Sequence, residues 1–185
     1  MRGESCMKLV AWFWRGPISK TRTFGFCLLT GASVAAASHA CPAQSLIGKQ
    51  APAFVRRDLH GHTISLRSLR GKVVLLNFWA TWCGPCQTEM PVFDSWQREY
   101  GPRGLQVIGI SMDDDQETAR KLVEKLTISY PVAMGDAGLG ERYGRVLGLP
   151  KTFLIGRDGK VQARFQGETD LKAMEAQIRA ALNGE

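Results

Sequence analysis

Residues 73–86 have the sequence VVLLNFWATWCGPC. This segment predicts both the central element of the fold and the reactive groups of the chain. Its first seven residues, Val73–Trp79, are almost continuously apolar, with Asn77 the one polar member. Such a run predicts a strand that is covered on both faces and lies at the centre of a sheet. Two cysteines, Cys83 and Cys86, follow the strand directly.

The segment after Cys83 predicts a helix that runs to about Tyr100. Met90, Phe93 and Trp96 recur there at three-residue spacing, as on one face of a helix. The first sulfur then lies at a helix N-terminus, where unpaired N–H groups and the helix dipole favour a thiolate. Cys86 is close enough to form a disulfide with Cys83. We therefore expect Cys83 to be the attacking thiol and Cys86 the resolving thiol, since a permanent disulfide in so short a loop adds little stability.

The remaining patterns predict one α/β domain with a mixed sheet. A second buried strand is expected at 105–110 and an edge strand at 130–134. A hairpin is expected at 152–165, with Asp-Gly at its turn. Helices are expected at 115–126, weakly at 139–146, and at 171–182. Before the central strand we expect an irregular segment at 44–55, a turn at 60–62 and a short strand at 63–66.

Composition and charge exclude several classes of protein. The chain has 185 residues, of which 44% are hydrophobic, with 24 Lys+Arg and 17 Asp+Glu, so it is neither disordered nor collagen-like. Its formal charge of +7 is uneven: residues 1–40 carry +4 and the rest +3. Since the excess lies largely in the first 40 residues, we do not expect nucleic-acid binding.

Residues 1–40 have the pattern of a cleaved signal peptide. Basic residues precede an apolar run, Phe24–Ala37, and Ser38-His39-Ala40 supplies the small residues of a cleavage site. The run spans only about 21 Å as a helix, less than a bilayer core of about 30 Å. We expect a domain of residues 41–185 that is periplasmic or otherwise exported, with an uncleaved anchor or a lipidated Cys41 as the alternatives.

Two motifs together resemble the thioredoxin superfamily. Phe78–Cys86 and Gly148-Leu149-Pro150-Lys151-Thr152-Phe153-Leu154-Ile155 are most similar to those of the TlpA/ResA-like exported thiol:disulfide reductases. The resemblance covers roughly Gln44 to Leu182. It implies a thioredoxin-like fold, a central mixed sheet flanked by helices. It also implies a cis bond between Leu149 and Pro150, in a loop that aligns substrate against Cys83.

The resemblance also assigns roles to residues. It implies catalysis by Cys83, Cys86, Glu89 and Pro150, with Glu89 exchanging a proton with Cys86; a solvated Glu89 is the alternative. It implies that substrate contacts Trp82, Gly84, Pro85 and Leu149. In cytoplasmic thioredoxins a buried Asp occupies the position of Asn77, so that acid is absent here.

The function that the resemblance implies is reduction of disulfides in partner proteins. Apocytochrome c, a copper-site assembly protein and periplasmic disulfides in general all remain open as clients, and a membrane thiol donor of the DsbD or CcdA kind would supply electrons. No cofactor beyond the Cys83–Cys86 couple and no metal are expected, and we expect a monomer.

Two alternatives remain open at this point. A peroxiredoxin-like peroxidase shares the fold, but its motif has Thr three residues before the cysteine, where this chain has Ala80. A copper-delivery module would use Cys83, Cys86 and a histidine. Zinc is not expected, because it takes about four ligands and only His60 and His62, in a predicted turn, add to the two thiols. We expect the acidic run at 113–115 to cap a helix.

Overall fold

A computed structural model describes residues 45–184; the predicted signal peptide and Cys41 lie outside the described residues. The strands are β1 (Val55–Arg57), β2 (Thr63–Ser65), β3 (Val73–Trp79), β4 (Leu105–Ser111), β5 (Val132–Met134), β6 (Lys151–Ile155) and β7 (Val161–Gln166). The helices are α1 (Gly84–Tyr100), α2 (Gln116–Lys125), α3 (Ala137–Arg142) and α4 (Leu171–Asn183). Short 3₁₀ turns occupy Leu66–Leu69 and Gly101–Arg103.

The main sheet has the strand order β5-β4-β3-β6-β7, which confirms the mixed sheet. β3 lies at its centre, parallel to β4 and antiparallel to β6, and all seven of its residues are buried. β5 is an edge strand, as its proline-containing segment predicts. β1 and β2 form a separate antiparallel hairpin.

Alternate residues of β3 belong to two apolar layers. Leu75 and Trp79 contribute to the layer that contains the buried faces of α1, α2 and α4. Leu76 and Phe78 contribute to the other, which contains Leu139 of α3 and the β2 residue Ile64. A strand with a core on each side needs apolar residues at nearly every position, which explains the apolar run in the sequence, interrupted only by Asn77.

Two elements differ from the predictions. β1 lies at the end of a segment expected to be irregular; it is only three residues long, and Val55 is exposed, so it shows no apolar alternation. The weak helix is shorter and starts earlier, because Asp136 caps it by accepting a hydrogen bond from the backbone N–H of Leu139 (2.7 Å). It cannot continue to Val146, since Gly144 and Arg145 have φ of 77° and 58°.

Within residues 45–184, none of the helices combines the length and the apolar character that crossing a bilayer requires.

Candidate active site

The CxxC motif lies where the central strand turns into α1. Cys83 is the N-cap of that helix, and its Sγ accepts a hydrogen bond from the backbone N–H of Cys86 at 3.3 Å. Pro85 occupies the first turn, where its missing N–H costs nothing and its fixed φ suits a helix. The expected position of the first sulfur at a helix N-terminus is confirmed.

Cys83 and Cys86 form a disulfide, with their Cα atoms 5.3 Å apart. Cys83 retains 5% exposure as a residue, whereas Cys86 has none. A partner disulfide can therefore reach Cys83 more readily than Cys86. This difference in accessibility supports the predicted order of attack and resolution.

Glu89 lies one turn after Cys86 on α1 and is buried, with 5% exposure. This placement excludes the alternative of a solvated side chain. Burial raises the pKa of its carboxyl from 4.5 to about 7, and Glu168 adds to the rise. The backbone N–H of Thr169 opposes the shift, yet neither carboxylate oxygen has a partner of hydrogen-bond geometry among the described residues.

The second motif forms a loop at the same end of the sheet. Leu149–Pro150 is cis, as expected. The β3–β6 register pairs Phe78 with Lys151. Pro150 therefore lies at the same end of the central strands as the CxxC turn. Leu149 packs against both apolar layers, and the Pro150 carbonyl accepts a hydrogen bond from the Gly167 N–H at 2.9 Å.

The surface around Cys83 is apolar and open. Trp82 is 72% exposed, and Gly84 and Pro85 are exposed beside it. In the loop before Pro150, Leu147 is 85% exposed; we did not predict this residue, because its short segment between Gly144 and Gly148 carries no periodic signal. Large exposed apolar side chains beside a reactive sulfur suit contact with a polypeptide.

Asp113 supports the turn that precedes Cys83. Its carboxylate accepts hydrogen bonds from the Thr81 N–H (3.0 Å) and hydroxyl (2.7 Å) and from the Ser111 hydroxyl (2.8 Å). Of the acidic run expected to cap a helix, only Asp115 does so, at the start of α2. The role of Asp113 was missed, because 32 residues separate it from Thr81.

Lys151 is a buried cation immediately after the cis proline, with 2% exposure. Its Nζ donates to the carbonyl oxygens of Gly144 and Arg145, both at 3.2 Å. Burial lowers its pKa, and Arg164 adds to this effect. Lys151 therefore ties the residues after α3 to the start of β6.

Asn77, the polar residue of the central strand, donates to the Thr152 hydroxyl at 2.9 Å. Its Oδ1 has no hydrogen-bond partner within residues 45–184. Because Asn77 is a neutral amide, the central strand supplies no acid here. The buried acid nearest to the CxxC motif along the chain is Glu89.

His60 and His62 lie in a turn, as predicted. Asp58 accepts hydrogen bonds from the backbone N–H groups of His60 (2.9 Å) and His62 (2.8 Å), and this closes the β1–β2 loop. Within the described part of the chain, no group of three or more His, Cys, Asp or Glu residues is placed to hold a metal ion.

Comparisons with known proteins agree with this geometry. Residues 47–164 match the AhpC/TSA family. The chain is 38% identical over 134 residues to the thiol-disulfide oxidoreductase ResA of Bacillus thuringiensis subsp. konkukian, covering 72% of this chain and 77% of ResA.

Two solved structures show the same fold. A thioredoxin-family thiol:disulfide interchange protein from Chlorobium tepidum superposes with a TM-score of 0.67 at 29% identity, covering 72% of this chain and 95% of that one. The thioredoxin domain of a thiol-disulfide oxidoreductase from Bacteroides vulgatus gives 0.65 at 26% identity, covering 73% of this chain and 99% of that one.

Proposed function

Since this chain belongs to the AhpC/TSA family and is a thiol-disulfide oxidoreductase of the ResA type, we propose that it reduces disulfides in exported partner proteins. The observation that carries this proposal is the difference between the two cysteines at the start of α1. Cys83 retains 5% exposure next to the exposed residues Trp82 and Pro85, whereas Cys86 has none.

The reaction transfers two electrons in two exchanges. The Cys83 thiolate attacks one sulfur of the partner disulfide, so a mixed disulfide forms and one partner sulfur leaves as a thiolate. Cys86 then loses its proton and attacks the Sγ of Cys83. This step releases the second partner sulfur and leaves Cys83 and Cys86 oxidised.

Glu89 is suited to accept the proton that Cys86 must lose. Residues three apart on a helix are neighbours, and a carboxyl with a pKa of about 7 both accepts and releases protons near neutral pH. The surface formed by Trp82, Gly84, Pro85, Leu149 and Pro150 would hold the partner backbone while the sulfurs exchange.

The setting of this reaction is also part of the proposal. The signal-peptide pattern of residues 1–40 supports export, and a periplasmic reductant needs a continuous supply of electrons, which a membrane thiol donor of the DsbD or CcdA kind would provide. Apocytochrome c is the proposed client, with a copper-site assembly protein as the other candidate. We expect the protein to act as a monomer.

The reduction potential of the Cys83–Cys86 couple tests the direction. Equilibration of the protein in dithiothreitol redox buffers should give a value near or below about −250 mV, close to that of thioredoxin. A value near about −120 mV, typical of a strong oxidant, would show that the proposed direction is wrong.

Trapping of the mixed disulfide tests the order of attack. With a disulfide-containing client such as oxidised apocytochrome c, reduced Cys86→Ala should accumulate a covalent complex that dithiothreitol releases. Cys83→Ala should form none, because the remaining sulfur is buried. If Cys83→Ala forms the covalent complex and Cys86→Ala does not, the assigned roles of the two cysteines are reversed.

Peroxide turnover separates the peroxidase alternative from the proposed function. With Ala80 before the motif, the reduced protein should consume hydrogen peroxide no faster than a simple dithiol.

For the copper alternative, Cu(I) binding that is lost in Cys83→Ser, together with absent reductase activity, would favour metal delivery.

A further inference from the structure

Cationic side chains from three loops meet at the end of the sheet opposite the CxxC motif. They are Arg67, Arg70 and Lys72 before β3, Arg103 before β4, and Arg157 and Lys160 in the β6–β7 turn. We call these six residues the basic end. The three loops contain a single carboxylate, Asp158.

Hydrogen bonds hold the loops of the basic end together. The Arg157 guanidinium donates to the carbonyl oxygens of Gly71 (2.7 Å) and Arg103 (3.2 Å), and Arg70 donates to the Asp158 carbonyl. Backbone carbonyls do not cancel a formal charge. Among the ion pairs formed within residues 45–184, only Lys160–Asp158 (3.6 Å) involves the basic end, so its charge stays strongly positive.

A groove of about 600 Å³ opens between residues 50–53, the loop before β3 and the β6–β7 turn. Its floor is apolar, formed by buried side chains of Leu66, Val74 and Ile155. Arg67 and Lys72 line it as exposed cations. Apolar surface beneath a cationic rim suits an amphiphile with an anionic head group.

The chain enters the domain at this same end. The Gly48 N–H donates to the Val161 carbonyl at 2.8 Å, and the neighbouring Ile47 is 54% exposed. An exposed aliphatic side chain beside a cluster of cations is typical of proteins that lie on a lipid surface.

We propose that the basic end docks on anionic phospholipid head groups, with Ile47 entering the interface. The seven-residue central strand separates this end from the CxxC motif by about 23 Å, so docking presents Cys83 away from the lipid. The loops of the basic end contain no aromatic residue on which a nucleic-acid base would stack, and this favours lipid over single-stranded nucleic acid.

Vesicle co-sedimentation of residues 41–185 tests the proposal. The solved Bacteroides vulgatus domain, matched over 99% of its length, indicates that such a domain folds without further segments. Vesicles with about 30% phosphatidylglycerol in phosphatidylcholine should bind the domain, whereas phosphatidylcholine alone should not. About 0.5 M NaCl should release it, because salt screens exposed charges.

Two double variants with the same change in net charge locate the surface. Arg67→Glu/Lys72→Glu should weaken binding at least about 25-fold, since each cation near an anionic surface contributes about fivefold. Lys172→Glu/Arg179→Glu, on the exposed face of α4, should retain most of the binding. Ile47→Ser should weaken binding while leaving reductase activity in solution unchanged.

Three outcomes would overturn the proposal: no binding to the anionic vesicles, equal weakening by the two double variants, or equal binding to phosphatidylcholine alone. Binding to a single-stranded oligonucleotide without binding to vesicles would assign the basic end to a different polyanion. Reductase activity in solution is measured on every variant, so failure of docking is distinguished from failure of the proposed reaction.

Discussion

Glu89 couples the stability of the domain to pH. Its carboxyl titrates near 4.5 when exposed and near 7 in the fold, because burial disfavours its charged form. Below pH 4.5 it is protonated in both states and has no effect. As pH rises from about 4.5 to 7, the unfolded state loses the proton first, so the free energy of unfolding falls; above about 7 the penalty is constant.

Glu89→Gln should remove this pH-dependent loss. The free energies of unfolding of the variant and the parent, both oxidised, should differ least at pH 4.5. The difference in favour of the variant should grow up to pH 7 and stay constant to pH 8. Urea unfolding at these pH values measures the difference. Glu168→Gln, at an exposed neighbouring position, is the control and should show a smaller change; a gain independent of pH in Glu89→Gln would contradict the assignment.

Asp113 stabilises the turn before Cys83 through charge-assisted hydrogen bonds. Asp113→Ala leaves the Thr81 N–H and hydroxyl without this acceptor, and should lower the free energy of unfolding by about 2 kcal/mol. Urea denaturation checks this value. Asp114→Ala removes the exposed adjacent carboxylate and should change stability by less than about 0.5 kcal/mol; equal losses would show that the hydrogen bonds to Thr81 contribute nothing.

At the scale of elements, one side chain links α3 to the cis-proline loop. Lys151, at the start of β6, holds the carbonyl groups of Gly144 and Arg145, and these residues lead into the segment that exposes Leu147. Since this segment lies before Pro150, its order affects the surface that a partner polypeptide would meet.

Lys151→Met should loosen that segment, because two carbonyl groups lose their donor. Amide hydrogen exchange of residues 144–148 should accelerate relative to the rest of the domain, and the KM for a protein disulfide should rise more than kcat falls. Lys172→Met, at an exposed lysine of α4, is the control. Unchanged exchange at 144–148 would show that the segment is ordered independently of Lys151.

At the scale of the molecule, the central sheet separates two apolar layers that should respond independently to mutation. Ile178 of α4 is buried in one layer and Ile155 of β6 in the other. Ile178→Val and Ile155→Val should each cost about 1 kcal/mol of unfolding free energy. Because they share no layer, the double variant should equal the sum within about 0.5 kcal/mol in urea denaturation; a larger deviation would mean that the sheet transmits strain between the layers.

The order and type of most elements follow from the sequence alone. β3 is recognisable because a strand buried on both faces needs a nearly continuous apolar run, and α1 because its apolar residues repeat with helical spacing. The CxxC motif at the junction of these two elements is a local arrangement, so the position of Cys83 at a helix N-terminus needs no long-range information. β1 was missed and α3 misplaced because each is short and depends on capping or pairing more than on apolar periodicity.

Only the tertiary structure determines what meets these local elements from distant parts of the chain. Asp113 reaches Thr81, Lys151 reaches the carbonyl groups beyond α3, and Glu89 becomes buried enough to titrate near neutral pH. The basic end is likewise assembled from three separate loops. Side-chain periodicity reports which face of an element is apolar, but contacts and desolvation depend on how the strands align in the sheet, and that alignment is set by the packing of both layers together.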